Sequence, residues 1–297
     1  MVKIEFVIFV RCKNGRKLYD KHVAEMMEKG GAKMHDIKIH DVSFAYTGSD
    51  KLILKDINVD VEGGEFVCIL GQSGCGKSTL LRLIAGLETC TTGEITVDGQ
   101  KITGASLERG VVFQDYGLFP WKTAGANITL ALKKKFPDWD KSHLKERTLE
   151  LLKAVGLDES VYRKFPKELS GGMKQRCAIA GAFGIDPPIL LMDEPFGALD
   201  AVTRSMLQDM VLELWEKQEE KKTVFFVTHD VDEAMLLANR IIVLGQSPSN
   251  VIFDVKIPDE KRTTRENRFE DADSIKLRNE LLRYINKDVE AHVRKVQ

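Results

Sequence analysis

Two different hydrophobic periods run along this chain. Between residues 35 and 63 apolar side chains alternate with polar ones: Ile37 and Ile39 in one phase, Val42, Phe44 and Tyr46 one position out of step, then Ile57, Val59 and Val61 up to a Gly63-Gly64 turn. Alternation of this kind belongs to antiparallel strands with one solvated face, and the slip between Ile39 and Val42 predicts a bulge. The pattern then changes to short, fully apolar runs at 66–70, 111–113, 189–192, 224–227 and 241–244, most of them separated by helical patterns. Unbroken apolar strands are buried on both faces, so a mostly parallel α/β sheet follows, with function expected at the strand C-terminal ends. Residues 142–183 read as helices inserted between two of these strands. Near the end, Ser274 is placed to cap a helix whose Leu277, Leu281, Tyr284, Ile285 and Val289 share one face, ready to dock on the core or on a partner subunit.

Composition narrows the class. The 297 residues carry Lys+Arg 44 against Asp+Glu 45, a net charge of -1, with 43% hydrophobic residues. This is the balance of a globular protein of one large or about two ordinary domains, and it gives no global electrostatic footprint for nucleic acid. No run approaches the roughly 18 apolar residues of a membrane span, and the run at 6–10 is too short for a secretory core, so neither a spanning segment nor export is expected. Five cysteines (Cys12, Cys68, Cys75, Cys90, Cys177) with no C-x-x-C pair indicate neither a disulfide framework nor a zinc site, and fit a reducing cytosol.

Chemistry enters directly after the run 66–70, at Gly71-Gln72-Ser73-Gly74-Cys75-Gly76-Lys77-Ser78-Thr79, which fits G-x-x-x-x-G-K-[ST] and leads into an apolar helix from Leu80. Glycines let the backbone curl so that its N–H groups face a polyphosphate at a helix start whose dipole favours anions. Lys77 is then expected to reach the β- and γ-phosphates and the Ser78 hydroxyl to ligate Mg²⁺. Cys75 lies in this loop, either as a thiol open to reagents or simply as a small tolerated residue. A second apolar strand ends in Asp193-Glu194. Alone, such a pair is an ordinary solvated loop start; beside a phosphate loop, Asp193 takes a metal role and Glu194 the role of general base. Ser170-Gly171-Gly172 opens another helix, as a simple N-cap or as a second anion-facing end. Two phosphate-binding ends in one chain are explained economically by a nucleotide clamped between two copies.

With these residues the sequence resembles the nucleotide-binding subunit of ABC transporters over roughly residues 35–250. Gly71 to Ser78 resembles the Walker A loop, Leu190 to Glu194 Walker B, Leu169 to Gln175 the ABC signature, Val112-Phe113-Gln114 the Q-loop, Ala198-Leu199-Asp200 the D-loop and Val227 to Asp230 the switch-histidine segment. The resemblance implies an α/β P-loop NTPase fold of the ABC type, with an antiparallel β subdomain and an inserted helical subdomain at about 115–183. It implies that Tyr46 stacks on adenine, although a core aromatic remains the alternative there. It implies that Gln114 contacts Mg²⁺ or the lytic water and senses the membrane partner, and that His229 holds the γ-phosphate and orients Glu194. Ser170 and Gly172 would act in trans on the nucleotide of the other subunit, with Asp200 linking the sites. ATP and Mg²⁺ are the implied cofactors.

A narrower likeness at Phe119-Pro120-Trp121, 169–176, 192–200 and 226–233 is to the ATPases of nitrate, sulfonate, taurine and bicarbonate importers. These imply a second ATPase subunit, an integral permease docked near Gln114 and 118–121, an indirect extracytoplasmic substrate-binding protein, no nucleic acid, and residence at the cytoplasmic face of the membrane. Residues 1–33 have no counterpart, which makes Met34 a candidate start; 251–297 reads as a C-terminal strand and helix segment. Two departures stand out: Gly181 replaces an arginine usual in the signature helix, and Ala124-Gly125 falls where a bulkier pair is usual. The alternatives are an ABC-type ATPase acting on ribosomes or DNA, which generally has tandem domains or long coiled coils, and a P-loop GTPase or small-molecule kinase. The latter leaves the signature unexplained, and the nearest base-reading string, Asn286-Lys287-Asp288, is followed by Val289.

Overall fold

The computed structural model describes residues 35–197, 199–216, 221–265 and 270–296; the expectations for residues 1–33 and Met34, and Ala198 of the Asp200 loop, lie outside them. The described elements are β1 (Ile37–Ala45), β2 (Leu52–Val61), β3 (Phe66–Leu70), α1 (Lys77–Ala85), β4 (Thr92–Val97), β5 (Gln100–Lys101), β6 (Arg109–Val112), α2 (Ala124–Lys135), α3 (Lys141–Ala154), α4 (Gly171–Gly184), β7 (Ile189–Asp193), α5 (Ala201–Glu216), β8 (Thr223–Thr228), α6 (Val231–Leu237), β9 (Arg240–Leu244), β10 (Val251–Lys256) and α7 (Ala272–Val296).

The first period becomes an antiparallel sheet of order β2-β1-β4-β5. Ile39 pairs with Val59 but Val42 with Ile57, so β1 holds one extra residue there, and Asp41 takes φ 50: the expected bulge. The β4–β5 hairpin escapes the periodicity because its start is exposed and polar. The apolar runs form the second sheet, β10-β9-β3-β8-β7-β6. Its neighbours from β9 to β6 are parallel, and β10 is an antiparallel edge strand. Phe113, expected inside a strand, lies just past β6, which starts earlier at Arg109.

Burial on both faces has a simple origin. Phe66, Cys68, Leu70, Leu190, Met192, Val224 and Phe226 enter one core, shared with the helices of the insert and with α5 to α7. Their sequence neighbours Val67, Ile69, Ile189, Leu191, Phe225 and Val227 enter another, shared with α1 and the antiparallel sheet. Period-two geometry with both faces apolar leaves no polar signature along the strand.

In the helical insert, Thr123, Asp140 and Ser170 each cap a helix, accepting from the N–H of Ala126, His143 and Met173. The unusual Gly125 has a cause: a Cβ there would overlap Tyr162 Cδ2, so the tyrosine ring rests on the bare backbone of α2. Gly181 differs, since a Cβ at that position meets nothing within 4 Å. The two substitutions should therefore act oppositely in a thermal melt. Gly181→Ala raises stability by about 1 kcal/mol through helix propensity, whereas Gly125→Ala lowers it by about 1–2 kcal/mol, overpacking outweighing the same gain. A higher melting temperature for Gly125→Ala would mean that the ring does not occupy that space.

The C-terminal helix docks on its own chain. Leu281 is fully buried, Leu277, Leu282 and Ile285 pack against the first core, and the Tyr284 ring lies 4.5 Å from that of Phe253. The cap expected of Ser274 is instead Asp271, whose Oδ2 accepts from Ser274 N at 2.7 Å; Ser274 is buried and bonded to Thr263, because its hydroxyl faces inward.

Candidate nucleotide site

Three adjacent strands, β3, β8 and β7, end on the same side of the parallel sheet, and the loops leaving them carry Lys77, His229 and Glu194. After β3 the chain turns through Gly74 at φ 82 and Gly76 at φ 99 before α1 begins. Gly76 also lies against Ile53 and Leu54, 2.8 Å from the nearest methyl if a Cβ were added, so only glycine fits its backbone and its space. Gly71 is similarly close to Cys75 Sγ and to Leu244 O. Gln72 and Ser73 are exposed along the loop, leaving its outer face open.

Lys77 is 4% exposed, and its Nζ donates to Gly71 O and Gln72 O, 2.9 Å each, with Glu194 Oε1 3.6 Å away. The ammonium thus sits inside its own loop beside a carboxylate. Ser78 Oγ donates to Asp193 Oδ1 at 2.7 Å, joining the start of α1 to the end of β7. Burial pushes the Asp193 carboxyl upward, partly opposed by the Ser78 bond. Thr79 Oγ1 and the Tyr46 hydroxyl are 3.0 Å apart, and the Tyr46 ring meets Phe44 edge-on. With 39% exposure, Tyr46 is not a core aromatic; it is a half-open ring at the edge of the loop.

Glu194 follows β7 with φ 41, a left-handed backbone for a non-glycine residue, held by its N–H donating to Val227 O. Such strain persists where the surroundings over-determine it. Its Oε2 lies 3.4 Å from His229 Nδ1, so one carboxylate is shared between Lys77 and His229. Gln114 joins them across a groove lined also by Tyr116, Pro195, Gly197 and Leu199.

The structure therefore brings together Tyr46, the loop Gly71–Thr79, Gln114, Asp193, Glu194 and His229. Among the described residues no hydrogen bond or ion pair ties Ser170, Gly171, Gly172 or Asp200 to that group. Ser170 caps α4, Gly172 lies against Thr203, and Asp200 Oδ1 accepts from Thr203 N, a bond that lowers its carboxyl. Cys75 is 1% exposed and burial pushes its thiol up, so the small-residue reading holds and the reactive one does not.

Sequence reasoning missed the residues that brace the phosphate loop from beyond β9. Ser249, fully buried, donates to Cys75 O, and Gln246 Nε2 donates to Gln72 Oε1 at 2.9 Å. Asp288 of α7 holds that bracing loop through Gln246 N at 2.7 Å. No motif or periodic pattern marks these positions. Tyr116, at φ 70 with its hydroxyl 3.2 Å from where a Gly171 Cβ would stand, was equally silent.

The family model described as ABC transporter matches residues 54–197. A nitrate import ATP-binding protein of Synechococcus elongatus is 45% identical over 233 residues, 78% of this chain and 84% of the relative. An aliphatic sulfonates import ATP-binding protein of Bacillus cereus is 45% identical over 228 residues, 75% and 87% of the two chains. Among solved structures, the dimeric ATP-binding cassette MJ0796 in a post-hydrolysis state with ADP and Pi has a TM-score of 0.67 at 34% identity, covering 74% of this chain and 98% of that one. ATP binding and the α/β fold of an ABC cassette both follow, and the chain belongs to the ABC transporter family as one of its ATP-hydrolysing subunits.

Proposed function

We propose that this chain drives an importer of a small anionic or zwitterionic solute, of the kind represented by nitrate and aliphatic sulfonates, by hydrolysing ATP between two copies of itself against a membrane permease. The observation that carries the chemistry is the sharing of Glu194 between Lys77 and His229 beside the Ser78–Asp193 pair. Lys77 exchanges its loop carbonyls for the β- and γ-phosphates, the backbone of Gly71–Thr79 wraps them, and Tyr46 swings its half-exposed ring onto adenine. Water attacks the γ-phosphorus, the bond to the bridging oxygen breaks, Glu194 takes the proton, and ADP and phosphate leave. His229 orients Glu194 and steadies the transferring group; Lys77 offsets charge that grows on its oxygens.

The donor set suits Mg²⁺. Ser78 and Asp193 offer hard oxygens 2.7 Å apart, and among the described residues no group of three or more His, Cys, Asp or Glu could enclose a metal alone. Mg²⁺ is commonly held in this way, by one or two protein oxygens with phosphates and water completing the shell. Ser78 and Asp193 would hold it, with Gln114 at the edge of the groove; bound there, it supplies charge neutralisation across the phosphates.

Ser170, Gly171 and Gly172 are placed on the nucleotide of the second copy, with Asp200 beside the junction. The lack, among the described residues, of any hydrogen bond or ion pair from them to the Lys77 group supports this. The permease docks on exposed Phe119 and Trp121, 41% and 70% accessible, next to Gln114. A permease-bound chain sits peripherally at the cytoplasmic face; among the described residues no helix is long and apolar enough to cross a membrane. Residues 34–250 form the ATPase domain, 115–183 its helical subdomain, and 251–297 a C-terminal segment. The reading is tested by capturing tagged Glu194→Gln chain from gently solubilised membranes with ATP present. A multi-span permease is expected; ribosomes or nucleic acid without a membrane protein would sink the importer reading and leave the ATPase standing.

A further inference from the structure

The turn that carries His229 lies beside Glu233, whose carboxylate is anchored through Gln208 to Arg265. The His229 side chain is 57% exposed, so packing does not set its direction toward Glu194; the backbone beneath it does. Asp230 N donates to Thr228 Oγ1 at 3.0 Å, Glu233 N donates to Asp230 Oδ1 at 3.2 Å, and Thr228, Asp230 and Glu233 line one small cavity with His229. From the other side Arg265 donates to Gln208 Oε1 at 2.8 Å, which fixes the amide so that Gln208 Nε2 donates to Glu233 Oε1 at 2.7 Å. Glu233 Oε1 is therefore an acceptor on the Gln208 side. Glu233, Gln208 and Thr228 are 7%, 5% and 2% exposed. The lining of this small cavity also includes Glu194 and Arg204.

Burial pushes the Glu233 carboxyl upward, so a carboxylate is a costly filler at this position. A neutral side chain of the same size would serve packing better. We propose that Glu233 is a positioning residue for His229, holding the Thr228–Asp230 turn so that the imidazole faces Glu194. The inference rests on the role given to His229 above. Gln208 and Arg265 extend the hold to α5, so the same chain sets the turn against the helix that follows Asp200.

The test uses the full-length chain and steady-state ATP turnover. Glu233→Gln keeps the shape but sets a second amide against the Gln208 amide that donates to it. It should lower kcat about tenfold, the scale of one misdirected buried hydrogen bond, with KM for ATP unchanged. In a His229→Ala background the same substitution should have no further effect on kcat, the non-additivity of two residues acting through one step. Thr228→Val should repeat the loss, and Thr228→Ser should recover most of it; this pair also serves if Glu233→Gln does not fold. A parent kcat in Glu233→Gln, or full additivity with His229→Ala, would overturn the proposal. If His229→Ala itself turned over ATP at the parent rate, the role of His229 would fall first and the proposal with it, a result distinct from failure of the Glu233 link alone.

Discussion

Replacing Glu194 with glutamine should lower ATP turnover about a hundredfold or more while leaving ATP binding intact, the loss expected when a positioned general base is removed. The amide has the shape of the carboxylate and can still stand between Lys77 and His229, but it cannot take a proton from water. Lys77 sits 3.6 Å from this carboxylate and His229 3.4 Å, so removing the charge relaxes both contacts and frees Lys77 for the phosphates. The variant should therefore hold ATP at least as tightly as the parent and accumulate as an ATP-bound dimer, read by size-exclusion chromatography beside a phosphate-release assay. Turnover at the parent rate would remove the assigned base.

Asp193→Asn separates activity from stability. Hydrolysis should fall about a hundredfold or more, since a charged Mg²⁺ ligand worth several kcal/mol is lost. Stability without nucleotide should rise at neutral pH. The sign follows from burial: the folded carboxyl titrates above its unfolded value, so its contribution is fully present below the unfolded pKa and is lost as the pH climbs through the folded one. Asparagine never ionises and keeps an oxygen for the Ser78 hydroxyl. The gap between variant and parent melting temperatures should widen from acid to neutral pH; a gap that narrowed with rising pH would contradict the burial argument.

Much of this site was legible because its information is local. Gly71 to Thr79 announces itself by type and spacing, and Asp193-Glu194 gains meaning from the apolar strand just before it. What stayed hidden depends on partners distant in sequence. Gly125 reads as a weak helix position until the Tyr162 ring is found lying on it. At the start of α7 a serine before an apolar face is a fair local signal for a cap, but Asp271 reaches the N–H and Ser274 turns inward to Thr263. The β4–β5 hairpin has too few apolar positions to carry a period. Ser249 and Gln246 are ordinary loop residues until the chain folds back and sets them under Cys75 and Gln72.

The parallel sheet, with successive residues of each strand committed to opposite cores, has a bearing on how the molecule can come apart and how it can move. A cavity cut on either side, at Leu191 or at Met192, weakens the one partition that both compartments lean on. The described body should accordingly melt in a single cooperative step rather than shed one half first. For the same reason the partition is a poor place to bend during turnover. Displacement of the helical insert falls instead to the two covalent crossings where it joins the sheet, one after Val112 and one before Ile189, and the first of these is the stretch that carries Gln114 to the edge of the nucleotide groove.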